Sequence, residues 1–282
     1  MSERSSARAA REGDYDFFVR MFAELAVPDA VPAREQFERE IVRRSIVLEE
    51  GARSTAYAQF FALGTLGRVV HVVVDPAFRG AGRGEALMRE IGTRLRAQGC
   101  ERWVLHVKPD NVPALKLYER LGFARSGESC AVRLAWSDVA KLARAPDGST
   151  ARAIAADGSE DTALERTFAL LPGVLAELRG REGRVLLVLE GGAGDDGAPV
   201  RKSRGVAVFD PAFPGAFPLR VRSPADATAL IRAMRPYARP EHDSLVLMIE
   251  GQPELVSVLL RAGAVVHLRS VRMEGALPSQ DE

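Results

Sequence analysis

From Val69 to Ile91 the chain reads VVHVVVDPAFRGAGRGEALMREI, and this stretch constrains the fold more than any other. A valine-rich strand ends in a loop holding Arg79, Gly80, Ala81, Gly82, Arg83 and Gly84. The loop opens into a helical pattern that sets Leu87, Met88, Ile91 and Leu95 on one face. A strand that hands over to an amphipathic helix calls for a sheet with helices packed on it, so the chain reads as α/β with a mixed sheet. The glycines let backbone N–H groups turn inward, the helix N-terminus adds partial positive charge, and Arg79 and Arg83 add full charges beside it. Such a concavity suits phosphate.

The same alternation runs through residues 6–136. SARAA and RSIVLEEG read as strands around the helix DYDFFVRMFAEL, and STAYAQFFAL with RVVHVVVD reads as a hairpin turning at Gly64 to Gly67. After the helix that starts near Gly84 come a strand RWVLHV, a helix from Pro113 to Leu121 and a strand SCAVRLAW. Residues 137–150 lack an apolar period and end in turn formers, which puts a linker there and divides the chain into domains at 1–145 and 146–282.

The second part repeats the first. Arg152-Ala153 echoes Arg8-Ala9, RVLLVLEGG echoes RSIVLEEG, and QPELVSVLLRAGAVVHLRSVRM overlays NVPALKLYERLGFARSGESCAV without a gap. In that overlay Asn111 becomes Gln252, Tyr118 becomes Leu259 and His106 becomes Leu247, while the later strand passes into its helix through Ser223 with no glycine loop. The second copy keeps the hydrophobic pattern and drops the polar chemistry. The last residues, GALPSQDE, read as a loose tail, and PVRKSRGV reads as a solvated basic loop.

Two phosphate loops fail on spelling. A Walker loop needs Gly-Lys-Ser or Gly-Lys-Thr, and the dinucleotide fingerprint needs its third glycine where Glu85 or Leu87 stands. What remains is Arg79-x-x-Gly82-x-Gly84, followed downstream by Asn111-x-x-Ala114-x-x-x-Tyr118-x-x-x-Gly122-Phe123. These two stretches, in this order and parted by a helix and a strand, resemble the signature motifs of the GCN5-related N-acetyltransferase (GNAT) superfamily. The resemblance implies two tandem GNAT folds, each a mostly antiparallel central sheet flanked by helices, with the second copy degenerate.

It also implies a ligand, acetyl-CoA as acetyl donor, and a site. The pyrophosphate would lie on the backbone N–H groups of Arg79, Gly80, Ala81, Gly82, Arg83 and Gly84, and the pantetheine arm along Val72, Val73 and Val74. Asn111 would hold the far side of the arm, and Ala114 belongs to the same motif. Lys116 or Arg120 would reach the adenosine phosphate, although a solvated helix face accounts for either. Tyr118 is implied as the general acid, since a phenol of pKa about 10 can protonate a thiolate whose conjugate acid lies near 8.5. The oxyanion donor would be a strand amide, that of Val74.

For the base, the usual fourth-strand positions hold Arg68 and Val70, which cannot serve. His106, twelve residues before Tyr118, is the candidate, while His71 reads as a hydrogen-bonded core histidine. Glu49, Glu50 and Glu128 are not distinguished from surface carboxylates. The expected function is acetyl transfer to a primary amine of a small molecule or peptide. The rival is a noncatalytic acetyl-CoA-binding or interaction module.

Bulk composition narrows the partners. The formal net charge of +1 calls for neither nucleic acid nor an anionic membrane. Two cysteines and four scattered histidines offer no disulfide framework and no metal cage. With no apolar run approaching the roughly 20 residues of a membrane span, the expectation is a reduced, cytoplasmic monomer or homodimer.

Overall fold

The computed structural model describes residues 5–145, 147–191 and 203–278. Strand β1 (Ser5–Ala9) leads into helix α1 (Tyr15–Glu24), which buries Phe17, Phe18, Met21 and Phe22 on one face. A short helix α2 (Arg34–Gln36) continues as a π turn (Phe37–Ile41) and a 3-10 turn (Val42–Arg44). Then come β2 (Ser45–Glu50), β3 (Arg53–Leu63), β4 (Leu66–Val74), α3 (Arg83–Ala97), β5 (Arg102–Val107), α4 (Val112–Arg120) and β6 (Ala124–Ala135). Apart from α2 and the turns that follow it, which were not expected, these are the elements read from the sequence, in the same order.

The stretch expected as a linker carries a 3-10 turn (Trp136–Lys141). Beyond it run β7 (Thr150–Ala153), α5 (Asp161–Thr167), α6 (Val174–Arg179), β8 (Val185–Glu190), β9 (Ser203–Asp210), β10 (Gly215–Val221), α7 (Pro224–Met234), β11 (Ser244–Glu250), α8 (Pro253–Arg261) and β12 (Val265–Ala276). Arg201 and Lys202 of the basic stretch lie outside the described residues.

The chain forms two compact units, Met1–Ser126 with Val271–Glu282, and Gly127–Ser270. In the first, the sheet runs β1-β2-β3-β4-β5, and the end of β12 pairs antiparallel with β5 from Val271↔Val107 to Ala276↔Arg102. In the second, β6 pairs antiparallel with β11 from Ser129↔Glu250 to Ala135↔Ser244, followed by β10, β9, β8 and β7. Each sheet is mostly antiparallel, with one parallel pair, β4 with β5 and β10 with β11. The strand after α4 thus joins the second unit, and the strand that ends the repeat joins the first. The expected loose tail is corrected at its start: Gly275 and Ala276 are paired with Trp103 and Arg102, and the Leu277 N–H donates to the Glu101 carbonyl at 2.8 Å.

Both faces of the first sheet are covered by apolar side chains. On one, α3 and α4 bury Leu87, Met88, Ile91, Leu95, Leu115 and Tyr118 around Trp103, whose ring stacks on Phe123 at 4.5 Å. On the other, the buried face of α1 packs with Phe37, Val47, Tyr57 and Val73.

The repeat is legible atom by atom at its start. Arg8 donates from Nε to Glu49, from Nη1 to the Ala9 carbonyl and from both Nη atoms to Asp14. Arg152 makes the same set to Glu190, the Ala153 carbonyl and Glu160. The paired guanidinium holds the Glu160 carboxyl down at about 2.

Candidate functional site

The site begins where two strands part. β4 and β5 pair at Leu66↔Arg102, Gly67↔Trp103 and Arg68↔Val104 and, among the described residues, no further. On its other edge β4 stays paired with β3 as far as Val74↔Ala56. The edge of β4 from Val69 to Val74 therefore faces a gap with no neighbouring strand to satisfy it.

At the end of β4 the Asp75 carboxylate accepts from the Ala77 N–H at 2.9 Å and tightens a 3-10 turn (Pro76–Phe78). The chain then passes through Gly80 at φ +82 and Gly82 at φ +78, left-handed conformations that favour glycine. Gly82 precedes α3, and the first intrahelical bond is donated by the Ala86 N–H to Gly82 O at 3.0 Å. The N–H groups of Arg83, Gly84 and Glu85 come before it, and the N-cap Gly82 has no side chain to cap them. A β-carbon at Gly84 would stand 3.2 Å from Leu117 Cδ2 and 3.7 Å from Val74 Cγ2, so glycine brings the loop close to both α4 and β4.

The two arginines, expected to add full charges beside the helix start, are both paired with carboxylates. Arg79 donates from Nε to the Val74 carbonyl at 3.1 Å and from Nη2 to Glu24 at 2.7 Å. Arg83 pairs with Glu50 at 2.5 Å and donates to the Ala81 carbonyl. Glu49 and Glu50 are thereby engaged, the former by Arg8. Backbone N–H groups and the helix dipole carry what positive potential the loop offers an anion.

On α4, Asn111 is the N-cap: its Oδ1 accepts from the Ala114 N–H at 3.2 Å, which leaves the carboxamide nitrogen as donor. Tyr118 is buried in the cluster shared by α3 and α4, its ring 5.8 Å from that of Phe123. Burial pushes its phenol up to about 12. Lys116 and Arg120 lie on the exposed face of the same helix.

The histidines occupy the opposite face of the sheet. Leu105 and Val107 pack with α3 and α4, so strand alternation turns His106 the other way, beside its register partner Arg272 on β12. On β4 the pairing with β3 shifts between Val69↔Phe60 and His71↔Gln59, leaving Val70 as an extra residue. Val69 accordingly packs with α3, whereas Val73 packs with α1, and the His71 ring meets the edge of Phe22 at 5.8 Å. His71 was expected to be a hydrogen-bonded core histidine, and its buried Nδ1 has no partner among the described residues. Burial holds the imidazole down at about 4, against the opposing charge of Asp29. The parted strands thus have Tyr118 on one face and two histidines on the other. Sequence reasoning missed Glu24 and also Lys108, which donates to the Leu25 and Ala26 carbonyls at 3.1 and 2.5 Å, because their partners are remote in sequence.

The second unit fills its counterpart from within. β10 and β11 pair only at Gly215↔Val246 and Ala216↔Leu247 among the described residues, then part. Gln252 bridges back to the Val221 backbone, and Arg220 pairs with Glu250 across the gap. At the start of α7, Ser223 and Asp226 form a reciprocal cap, and the fully buried Asp226 carboxylate also takes Arg204 at 2.6 Å. A carboxylate therefore sits where the first unit leaves free N–H donors.

No group of three His, Cys, Asp or Glu side chains arranged to hold a metal occurs among the described residues. Nor is any described helix long and apolar enough to cross a membrane.

Residues 14–123 match the family model of the acetyltransferase (GNAT) family. A mycothiol acetyltransferase from Saccharopolyspora erythraea is 46% identical over 59 residues, a span covering 21% of this chain and 20% of that protein. Two solved structures match nearly end to end. A GCN5-related N-acetyltransferase from Sphaerobacter thermophilus has a TM-score of 0.68 at 18% identity, covering 99% of this chain and 98% of the other. A tandem GNAT protein from the clavulanic acid biosynthesis pathway has a TM-score of 0.58 at 18% identity, covering 99% and 100%. The fold is that of a tandem GNAT protein.

Proposed function

Residues 14–123 match the family model of the acetyltransferase (GNAT) family, and we propose that the first unit transfers an acetyl group from acetyl-CoA to a primary amine of a small molecule or peptide. The observation that carries this reading is the parting of β4 and β5 beside the uncapped start of α3. The open edge of Val72, Val73 and Val74 is suited to pair with the amides of the pantetheine arm, and the N–H groups of the 79–84 loop to take the diphosphate. The two repeats, 1–145 and 146–282, divide the work: the second, with its gap bridged and its helix start capped by Asp226, holds no cofactor.

The thioester supplies an activated acyl carbon. The acceptor nitrogen attacks it, the C–N bond forms, the C–S bond breaks, and the acceptor nitrogen loses a proton while the thiolate gains one. Tyr118 gives the proton to sulfur from the face of α4, and its buried phenol stays protonated throughout the neutral range. The Val74 N–H is the donor for the oxyanion. His106 takes the proton from the acceptor on the opposite face. His71, on the same face with its Nδ1 buried, is the second candidate for that role. Its depressed basicity argues against it.

Acetyl-CoA turnover with a panel of amines, compared with Tyr118→Phe, tests the reading. Binding of acetyl-CoA with no turnover on any amine would favour a noncatalytic cofactor-binding module instead.

A further inference from the structure

The C-terminal end of α1 is held by two cations from distant parts of the first unit. Arg79, inside the phosphate loop, reaches Glu24, the last residue of α1, at 2.7 Å. Lys108, just beyond β5, grips the carbonyls of Leu25 and Ala26. Ala26 is kept at φ +49, a left-handed conformation that strains a non-glycine residue. Phe22, two residues before Glu24 on α1, sets its ring 5.8 Å from that of His71. The cofactor loop is therefore tied, through one exposed ion pair, to the chain bordering the histidine face.

The two loop arginines differ in how firmly they are held. Side chains of the Arg83–Glu50 pair are 20% and 17% exposed, those of Arg79–Glu24 53% and 36%. An exposed pair contributes little, because solvent screens it, whereas phosphate engages a guanidinium bidentately through charge-assisted bonds. Arg79 is the one that can change partners.

We infer that Glu24 is a latch between the two sides of the site: its carboxylate occupies the Arg79 guanidinium until the cofactor's diphosphate takes it, which loosens the segment beyond Ala26, residues 27–33, to admit the acceptor. This rests on the proposed cofactor site and assigns Glu24 a role in it. Lys108 retains its hold on Leu25 and Ala26, so release is a local loosening.

Calorimetry with CoA and amide hydrogen exchange over residues 27–33, on the full chain and on Glu24→Gln, test it. Removing the competing carboxylate should tighten CoA three- to tenfold at low salt, with the difference shrinking as salt rises. CoA should speed exchange over 27–33 in the native chain and leave the already fast exchange of the variant unchanged. Equal affinity in the two proteins, or exchange slowed by CoA over this segment, overturns the latch and leaves the cofactor site standing. Absence of CoA binding to both proteins overturns the cofactor site, and the latch with it. Glu24 lies at the surface, and a matched thermal melt of the variant verifies that it folds.

Discussion

Gln252 donates from Nε2 to the carbonyl of Val221 at 2.6 Å and accepts from the Val221 N–H at 3.4 Å. One side-chain amide thus satisfies both backbone groups of the residue that ends β10, as an added strand or a ligand amide would. In the first unit the matching residue, Asn111, turns its oxygen to cap α4 and leaves the edge of β4 open.

This contrast sets the stoichiometry. Calorimetric titration with acetyl-CoA should give one site per chain, and Gln252→Ala should not create a second, because Asp226 still opposes an anion at the start of α7. Two sites in the native protein would contradict the reading of the second unit.

Asp226 itself should be structural. It is fully buried, caps α7 and pairs with Arg204, so Asp226→Asn is expected to cost about 2–4 kcal/mol in urea unfolding. Acetyl-CoA affinity should be unchanged in the folded fraction.

Tyr118→Phe removes one oxygen from a buried ring and keeps its packing with Phe123. The turnover number should fall by about two orders of magnitude, with the KM for acetyl-CoA nearly unchanged. Because the phenol titrates only near pH 12, an alkaline limb in the rate profile below pH 10 would belong to another group.

Gly82→Ala places a β-carbon on a residue at φ +78 with no steric neighbour within 4 Å. The cost is therefore conformational, about 1–2 kcal/mol, and is expected to show as weaker CoA binding from a distorted loop. Gly84→Ala has no φ penalty and meets Leu117 instead, so it should be the milder change.

His71 predicts an acid-sensitive fold. Its imidazole titrates near 4 when folded and near 6.5 when unfolded, so between those values the unfolded chain binds the extra proton and stability rises with pH. The contribution is present above pH 6.5 and is lost as pH falls towards 4, amounting to about 3 kcal/mol. Unfolding of the native chain and of His71→Gln should diverge above pH 6.5 from their behaviour near pH 4. A parallel pair of stability curves would show that His71 is not buried in neutral form.

Much of this was legible in one dimension. Strands and helices of both repeats follow from apolar period, glycine stops and cap residues, which act within a few positions along the chain. The glycine loop and the Asn111 to Phe123 stretch are local as well, and so is the loss of polar chemistry in the second copy. What lay beyond reading was partnership. Arg79 meets Glu24 across 55 residues, and Arg83 meets Glu50, so the charges that look unmatched in sequence are matched in space.

The sequence by itself determined the elements, the repeat and the loop that offers its N–H groups to an anion. Only the tertiary structure decided that β6 completes the second sheet and β12 the first, since both strands carry similar patterns and pairing is settled by competition between remote edges. It likewise decided which face His71 occupies, because one extra residue at Val70 reverses the alternation of a strand, and no local propensity records that slip.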